Sequence, residues 1–285
     1  GIDPATGADT GYFAMGLADP LPGAWGGLAI YRIAINPAGT KLIATGNFQT
    51  VAGQSRTRFF MTDLTGAAAA LDPWYYPGFA KRCASTHPRR IAYLQGVDFA
   101  PDGSYFVVTA TGQIPYAKAD IWPAGSAQYH TVCDAVGRFN MNDDQQPAWI
   151  NYTGGDSIWI AAATGPAVYV QGHFQWLDNP NGFASQDGGG AVRREGIGAI
   201  DPATGQALAW NPLKPTQIGG KAFLVTPAGL WIGSDSVKFD GVARRGDGGH
   251  RQTSWVMPRF GTSCTARTPG LGCVRRIPSD AWESA

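Results

Sequence analysis

The residues best suited to ligand chemistry follow short apolar runs in three parts of the chain. His173 begins the longest polar loop, which also carries an aromatic residue, carboxylates and arginines. The candidate binding residues are Asn47, His173, Trp176, Asp187, Arg193 and Asp235. Such groups, converging on a concave surface, can bind a carbohydrate or a small anion. The structural alternative is that residues 178–182 are turn chemistry and that His173 hydrogen-bonds a neighbouring loop.

Sequence motifs for catalysis are absent. The chain has no Gly-x-Ser-x-Gly, His-Glu-x-x-His or Gly-Lys-Ser/Thr sequence. Its four histidines, which lack metal-ligand spacing, are His87, His130, His173 and His250. Carboxylates for glycosidic chemistry could come from Asp156, Asp178, Asp187 and Asp235, but the sequence selects no pair among them. We therefore assign no catalytic residue and no metal ligand.

One short segment concentrates oxygen ligands. Residues 140–144, Asn-Met-Asn-Asp-Asp, could hold Ca²⁺, but they lack the following Gly and the distal Glu of an EF-hand loop. A solvated turn is the alternative. We expect no cofactor, with Ca²⁺ as the one candidate.

The elements that position these residues repeat along the chain. Turn glycines Gly39, Gly103, Gly165 and Gly229 are separated by 64, 62 and 64 residues, and each precedes a run of large apolar and β-branched residues. A period of this length is typical of a repeat architecture, whose units bury their apolar faces by stacking on their neighbours.

Each repeat contains three or four strand-like runs, and 39 Gly and 20 Pro leave little room for long helices. For the first complete unit we predict strands over 31–36, 42–48, 58–63 and 70–74. A β-sandwich would also be all-β, but it gives no reason for a period of about sixty, whereas the four-stranded blades of a β-propeller do. The predicted fold is therefore an all-β propeller.

The second half of the unit repeats as well. Residues 3–7, Asp-Pro-Ala-Thr-Gly, recur at 201–205, and residues 63–66 match them loosely. Proline fixes φ, glycine accepts a positive φ and aspartate caps the turn amide, so the motif predicts a tight reversal.

The repeats predict the domain organisation. Residues 1–260 form the propeller, with a partial blade at 1–17, blades at about 24–80, 90–153 and 155–214, and a final blade at 219–260. Residues 261–285 form a C-terminal, disulfide-containing tail. Four to five blade units either close a four-bladed ring by sharing one blade or form the C-terminal part of a larger propeller.

Several motifs carry a family resemblance. Residues 46–48 with 51–56 resemble the delta-60 type repeat of bacterial β-propellers, and residues 97–108, 168–176 and 230–235 are similar to a group of secreted actinobacterial propeller proteins. The resemblance covers most of residues 1–245. It implies that the chain is the C-terminal portion of a seven-bladed ring whose other blades and signal peptide precede it. It implies no activity, because the group has none established.

Composition and cysteine content fit an extracellular setting. A net charge of +1 with 15% charged residues gives no field for nucleic acid or anionic membranes, and no apolar stretch is long enough to span a bilayer. Cys83 with Cys133, and Cys264 with Cys273, are separated by 50 and 9 residues. Of three connectivities, we predict these two disulfides rather than free or metal-bound thiols.

Together these features predict a secreted or cell-surface β-propeller that acts as a non-catalytic binding or assembly module. The alternative is an extracellular hydrolase or lyase with its site on the face bearing His173. The expected partners are an N-terminal fragment or second chain that completes the propeller, and a carbohydrate or cell-surface ligand, with no nucleic acid.

Overall fold

A computed structural model of the chain describes residues 1–24, 26–83, 92–112, 132–142, 145–182, 185–214, 219–236, 238–239, 242–243 and 253–257. Within these ranges the chain is all-β, and the helical structure is limited to one 3-10 turn, Pro77–Ala80. None of the helical structure in these ranges has the length and apolarity to cross a bilayer.

The first blade, blade I, is a four-stranded antiparallel meander with a small sheet beside it. In chain order, the strands of the blade and of the small sheet are β1 (Leu17–Ala18), β2 (Ala29–Ile35), β3 (Lys41–Asn47), β4 (Thr50–Val51), β5 (Gln54–Ser55), β6 (Phe59–Asp63) and β7 (Ala70–Leu71). The blade has the order β2-β3-β6-β7, while the hairpin β4–β5 pairs with β1. The four strands predicted for this unit are confirmed, although the outermost one is only two residues long.

Blade II has the same meander in the order β8-β9-β10-β11. Its strands are β8 (Tyr93–Phe99), β9 (Tyr105–Thr111), β10 (Ala135–Asn140) and β11 (Pro147–Tyr152). A disulfide joins Cys83, before β8, to Cys133, before β10, with 5.6 Å between the Cα atoms. This predicted bridge is confirmed. Cys264 and Cys273 lie outside the described residues, so their pairing stays a prediction.

Blades III and IV each show three strands and an added hairpin. Blade III contains β12 (Ile158–Ala163), β13 (Val168–Gly172), β14 (Trp176–Leu177), β15 (Val192–Arg193) and β16 (Ile197–Ile200). Blade IV contains β17 (Ala222–Thr226), β18 (Gly229–Ser234), β19 (Lys238–Phe239), β20 (Val242–Ala243) and β21 (Thr253–Met257). The sheets run β12-β13-β16 and β17-β18-β21, and the hairpins β14–β15 and β19–β20 follow the second strand, as β4–β5 does in blade I.

The blades pack radially through their first strands. Strand β2 lies against β8, β8 against β12, and β12 against β17. Side chains along β9 alternate, so that Phe106 and Val108 enter the core shared with blade I while Tyr105 and Val107 enter the core shared with blade III. Consecutive meanders that share cores on both faces form a β-propeller, which is the fold of this chain.

The repeated Asp-Pro-Ala-Thr-Gly reversal is also confirmed. In both copies the glycine amide donates to the aspartate carbonyl oxygen, at 2.8 Å for Gly7 and Asp3 and at 2.9 Å for Gly205 and Asp201. Both glycines have positive φ, 71° and 75°. Each reversal is enclosed by a single bridge, between Ile2 and Asp9 or between Ile200 and Ala207. In the predicted partial blade at 1–17, the structure shows this bridge and the first residue of β1.

The inner strands of blades I and IV each leave apolar side chains exposed, although residues 13–17 cover β3 and β6 on the same face of blade I. Ile33 and Ile35 on β2 are 58% and 54% exposed, and Leu224 on β17 is 59% exposed. The inner strands of these two blades nevertheless meet, because Arg32 Nη2 donates to the carbonyl oxygen of Lys221 at 3.3 Å. The arc of blades therefore has an apolar gap between its first and last members.

Candidate functional site

Three of the residues predicted from the sequence occupy the same end of their blades. Asn47 ends β3, His173 follows β13 and Asp235 follows β18, each being the end of a second strand. Equivalent strand ends in successive blades lie on one face of a propeller. Each of the three residues, however, belongs to its own local network.

Asn47 holds the chain segment that leads into blade I. Its side chain is buried, accepts a hydrogen bond from the Leu21 amide at 2.8 Å, and donates to the carbonyl oxygens of Gly26 at 3.1 Å and Gly27 at 2.8 Å. All of these partners are backbone groups of one loop. The geometry gives Asn47 a structural task.

Trp176 and Arg193 face each other across the β14–β15 hairpin. The Arg193 guanidinium lies 5.3 Å from the centroid of the Trp176 ring, within cation–π distance, and its Nε donates to Glu195 Oε1 at 3.0 Å. Trp176 Nε1 donates to the carbonyl oxygen of Ser185 at 3.0 Å. This predicted pair is thus brought together, at the base of the long loop of blade III.

Asp187 shapes a turn in the same loop. Its Oδ1 accepts hydrogen bonds from the amides of Gly189 at 2.7 Å and Ala191 at 3.4 Å, and the residue is exposed. These contacts are turn chemistry at a residue that the sequence predicted as a binding residue.

A buried amide that sequence reasoning treated only as turn chemistry fastens the long loop to the protein. Asn179 Nδ2 donates to the carbonyl oxygens of Thr153 at 3.0 Å and Gln186 at 2.9 Å, and its Oδ1 accepts from the Gly188 amide at 2.9 Å. Gly154 has φ of 81°, and an added Cβ there would lie 2.2 Å from Asn179 Nδ2. The loop therefore closes over the connection between blades II and III.

Under this loop lie two buried carboxylates from different blades. Asp134 precedes β10 and Asp156 lies between β11 and β12; they are 5% and 3% exposed. Thr153 connects their backbones, because its amide donates to the Asp134 carbonyl oxygen at 3.1 Å and its Oγ1 accepts from the Asp156 amide at 3.0 Å. Ser157 Oγ donates to Asp134 Oδ1 at 3.5 Å.

Burial controls the protonation of both carboxyls. It raises the pKa of Asp134 to about 7, and the negative charge of Asp156 adds to the rise, whereas the Gly112 amide opposes it. Burial also raises the pKa of Asp156, against a hydrogen bond from Ser185 and the charge of His173. Asp156 Oδ2 is a buried atom without a hydrogen-bond partner among the described residues. A carboxyl that titrates near neutral pH beside a second carboxyl can exchange protons with a ligand.

His173 lies close enough to Asp156 for its charge to oppose the rise in the pKa of that carboxyl. It is exposed, and its amide donates to the Ser157 carbonyl oxygen at 2.9 Å. The sequence singled out His173 and considered Asp156 as one of four unpaired carboxylates, but it did not select Asp134. The structure brings Asp134, Asp156 and His173 together as a candidate proton-transfer site.

Asp235 belongs to a separate group between blades III and IV. Its Oδ2 accepts from the Gly219 amide at 3.3 Å. Burial lowers the pKa of Lys214, and the nearby charge of Asp235 opposes that shift. Gly219 itself packs against Gly172, the residue before His173, since a Cβ on Gly219 would lie 2.0 Å from the Gly172 carbonyl oxygen. Asp143 and Asp144 of the Ca²⁺ candidate lie outside the described residues.

No protein-family model and no curated protein sequence matches this chain. Among solved structures, the chain is similar to the Dos1 propeller at 10% identity and a TM-score of 0.36, over 73% of this chain and 56% of that one. It is also similar to hydrazine synthase of Kuenenia stuttgartiensis, at 14% identity and a TM-score of 0.32, over 88% of this chain and 66% of that one.

A third similar structure is the β-propeller domain of Cps50 (Swd1) from Myceliophteria thermophila, at 10% identity and a TM-score of 0.35, over 87% of this chain and 72% of that one. The chain thus spans less than two thirds of the length of the first two of these structures. The β-propeller assignment rests on the strand order and blade packing described above.

Proposed function

We propose that this chain is a secreted or cell-surface β-propeller that acts as a non-catalytic binding or assembly module. The observation that carries the proposal is the apolar gap between blades I and IV. Ile33 and Ile35 stand 64 residues before Val97 and Phe99, which occupy the same places on β8 and are each 5% exposed because blade I covers them. The repeat thus predicts what covers Ile33 and Ile35: another blade.

The last blade offers the complementary face. Phe223 points into the core shared with blade III, and its neighbour Leu224 points to the opposite side, where a following blade would lie. Burying each of these side chains contributes about 1.5–3 kcal/mol. The proposed partner is therefore one or more blades of the same repeat type, carried by an N-terminal fragment or by a second chain.

The mass of the purified, untreated protein tests the assembly role. We expect light scattering to give a mass above 30.1 kDa, the mass of this chain, and intact-mass measurement to identify the second component. Ile35→Asp should abolish the complex, since it places a charge in the apolar contact. Leu213→Asp is the matched control, because Leu213 is 55% exposed outside the blade strands. A wild-type protein that is purely monomeric contradicts the assembly role.

Secretion is supported by the Cys83–Cys133 bridge, because disulfides persist in oxidising compartments and are rare in the cytosol. Peptide mapping of natively produced protein without reductant should recover the linked pair. Recovery of both cysteines as free thiols contradicts this part of the proposal.

A second candidate function, an extracellular hydrolase or lyase, is favoured by the grouping of Asp134 and Asp156 beside His173. Removing one proton-transfer group of an enzyme commonly lowers the rate by about 10²–10⁴-fold. On any glycoside or ester substrate that the protein turns over, Asp156→Asn should cause such a loss, and Asp187→Asn, in the exposed turn, should not. Equal activity of both variants removes the site from consideration.

A further inference from the structure

The inner strands carry a second feature that repeats with the blades. Strand pairing skips Tyr31 in β2, Gln95 in β8 and Trp159 in β12, so each is the extra residue of a β-bulge, and they are spaced by 64 residues. Lys221 stands eight residues before Gly229, as Tyr31 does before Gly39 and Gln95 before Gly103. Bulges redirect side chains and occur beside binding sites. The four residues therefore occupy one repeated position, which we call the axial position.

Contacts link the axial positions of all four blades. Arg32 Nε donates to the carbonyl oxygen of Gln95 at 3.3 Å, and its Nη2 donates to that of Lys221, also at 3.3 Å. The Lys221 ammonium lies 4.7 Å from the centroid of the Trp159 ring. These contacts place the axial residues around one centre where the first strands converge.

Further contacts add an aromatic surface and fix its spacing. The rings of Tyr31 and Tyr93 are 6.2 Å apart, and both residues are half-buried. A Cβ on Gly96 would lie 2.9 Å from the Ile160 Cα, so glycine is needed for β8 and β12 to approach each other beside their bulges. The cluster is held by close backbone packing.

The axial residues differ in type from blade to blade, whereas the core positions around them do not. Positions that enter the cores between blades stay apolar from unit to unit, as Val97 and Phe223 do. The axial position holds Tyr, Gln, Trp and Lys on a common bulged or equivalent backbone. Packing between blades does not demand such variety. A ligand contacted by a different side chain from each blade accounts for it.

The charge of the cluster indicates the ligand. Arg32 donates to neutral carbonyl oxygens, and neither Arg32 nor Lys221 takes part in an ion pair with a carboxylate among the described residues. Two cations beside half-buried aromatic rings fit a negatively charged group attached to a flat apolar face. Saccharide C–H faces stack on aromatic rings, and a carboxylate accepts hydrogen bonds from guanidinium and ammonium groups.

We propose that the axial cluster of Tyr31, Arg32, Tyr93, Gln95, Trp159 and Lys221 binds a carboxylate-bearing saccharide. This inference rests on the binding role proposed above, but it is independent of the blade-to-blade interface. It also places the sugar contact at the axis and not in the His173 loop.

Isothermal titration calorimetry with trigalacturonate tests the site. The comparison probes are its methyl-esterified, neutral form and acetate, which separate the charge from the sugar. We expect trigalacturonate to bind wild-type protein at least tenfold more tightly than either comparison probe. Lys221→Gln should weaken that binding at least tenfold, and Trp159→Phe should retain more of it than Trp159→Ala. Lys238→Gln, an exposed lysine on β19, is the control that should leave the Kd unchanged.

The remaining outcomes overturn the proposal. Equal binding of the neutral trimer removes the carboxylate requirement, and equal binding of acetate removes the saccharide. An unchanged Kd in Lys221→Gln, or no binding of trigalacturonate to wild-type protein, removes the axial site. Because Lys221→Gln leaves Ile35 and Leu224 intact, its light-scattering mass should equal that of wild-type protein, so failure of the site and failure of the assembly role are distinguishable. If Trp159→Ala does not fold, Lys221→Gln and Trp159→Phe still decide the question.

Discussion

The junction between blades I and II and the junction between blades II and III are built from the same repeat but filled differently. Between blades I and II, seven aromatic rings pack together: Phe59, Trp74, Tyr76, Phe79, Phe99, Phe106 and Phe139. The centroid of Phe106 lies 5.0 Å from that of Trp74 and 5.4 Å from that of Phe139. Between blades II and III the middle of the junction is apolar, but its loop end buries Asp134 and Asp156.

The difference shows which part of a repeat unit is free to vary. Strand positions that enter the cores must remain apolar, because adjacent blades bury them on both faces. The loop ends are held by hydrogen bonds to backbone groups, as Asn179 illustrates. Buried titratable groups can therefore be placed at the loop ends without changing the packing of the blades. Their burial lowers the free energy of unfolding, and perturbed groups of this kind are often found at functional sites.

The largest effect should come from opening the aromatic junction. Phe106→Ala removes a completely buried ring that contacts both blades, and we expect a loss of about 3–5 kcal/mol in the free energy of unfolding. Urea denaturation followed by tryptophan fluorescence measures it. Val107→Ala, which truncates the neighbouring residue on the blade III side, is the matched control and should cost less. Equal losses would mean that the two junctions contribute alike.

Replacing the buried Asp134 carboxyl should instead raise the free energy of unfolding. The pKa of Asp134 is about 7 in the folded protein and about 3.9 in an unfolded chain, so the folded state binds more protons between these values. Wild-type stability should therefore fall as pH rises from about 4 to about 7. Asp134→Asn mimics the protonated form and should be more stable than wild type at pH 8, by on the order of 4 kcal/mol.

Thermal unfolding at a series of pH values measures this difference. The stability gain of Asp134→Asn should vanish below about pH 4, where the wild-type carboxyl is protonated in both states. Asp98→Asn is the comparison from within the same blade. Burial raises the pKa of Asp98 only to about 6, against a hydrogen bond from the Ala163 amide at 2.8 Å, so its gain should also depend on pH but should be smaller. A gain for Asp134→Asn that is independent of pH would argue that burial of its charge is not the cause.

The sequence predicted the features that recur in each repeat, but few of the contacts that form between different repeats. Glycine spacing and the Asp-Pro-Ala-Thr-Gly reversal identified the blades, because both depend on local backbone geometry. The pairing of Asp134 with Asp156 depends on two connections from different blades meeting under a third loop, and no local pattern records that. Likewise, the residues next to Asn47 and His173 in the sequence do not show that Asn47 binds one loop while His173 lies beside a carboxylate.

The smallest of these effects should be found in the long loop of blade III. Asn179→Ala leaves the Thr153 carbonyl oxygen and the Gly188 amide without their side-chain partner, and we expect a loss of about 1 kcal/mol because water can replace part of these hydrogen bonds. The loop between β14 and β15 should then be cleaved faster by a protease under native conditions, as judged by mass spectrometry of the fragments. Asp187→Ala, which removes only an exposed turn contact, should leave the cleavage rate nearly unchanged. If both variants are cleaved equally fast, the buried amide is not what fastens the loop over Asp134 and Asp156, and their raised pKa values must then be maintained by the blades themselves.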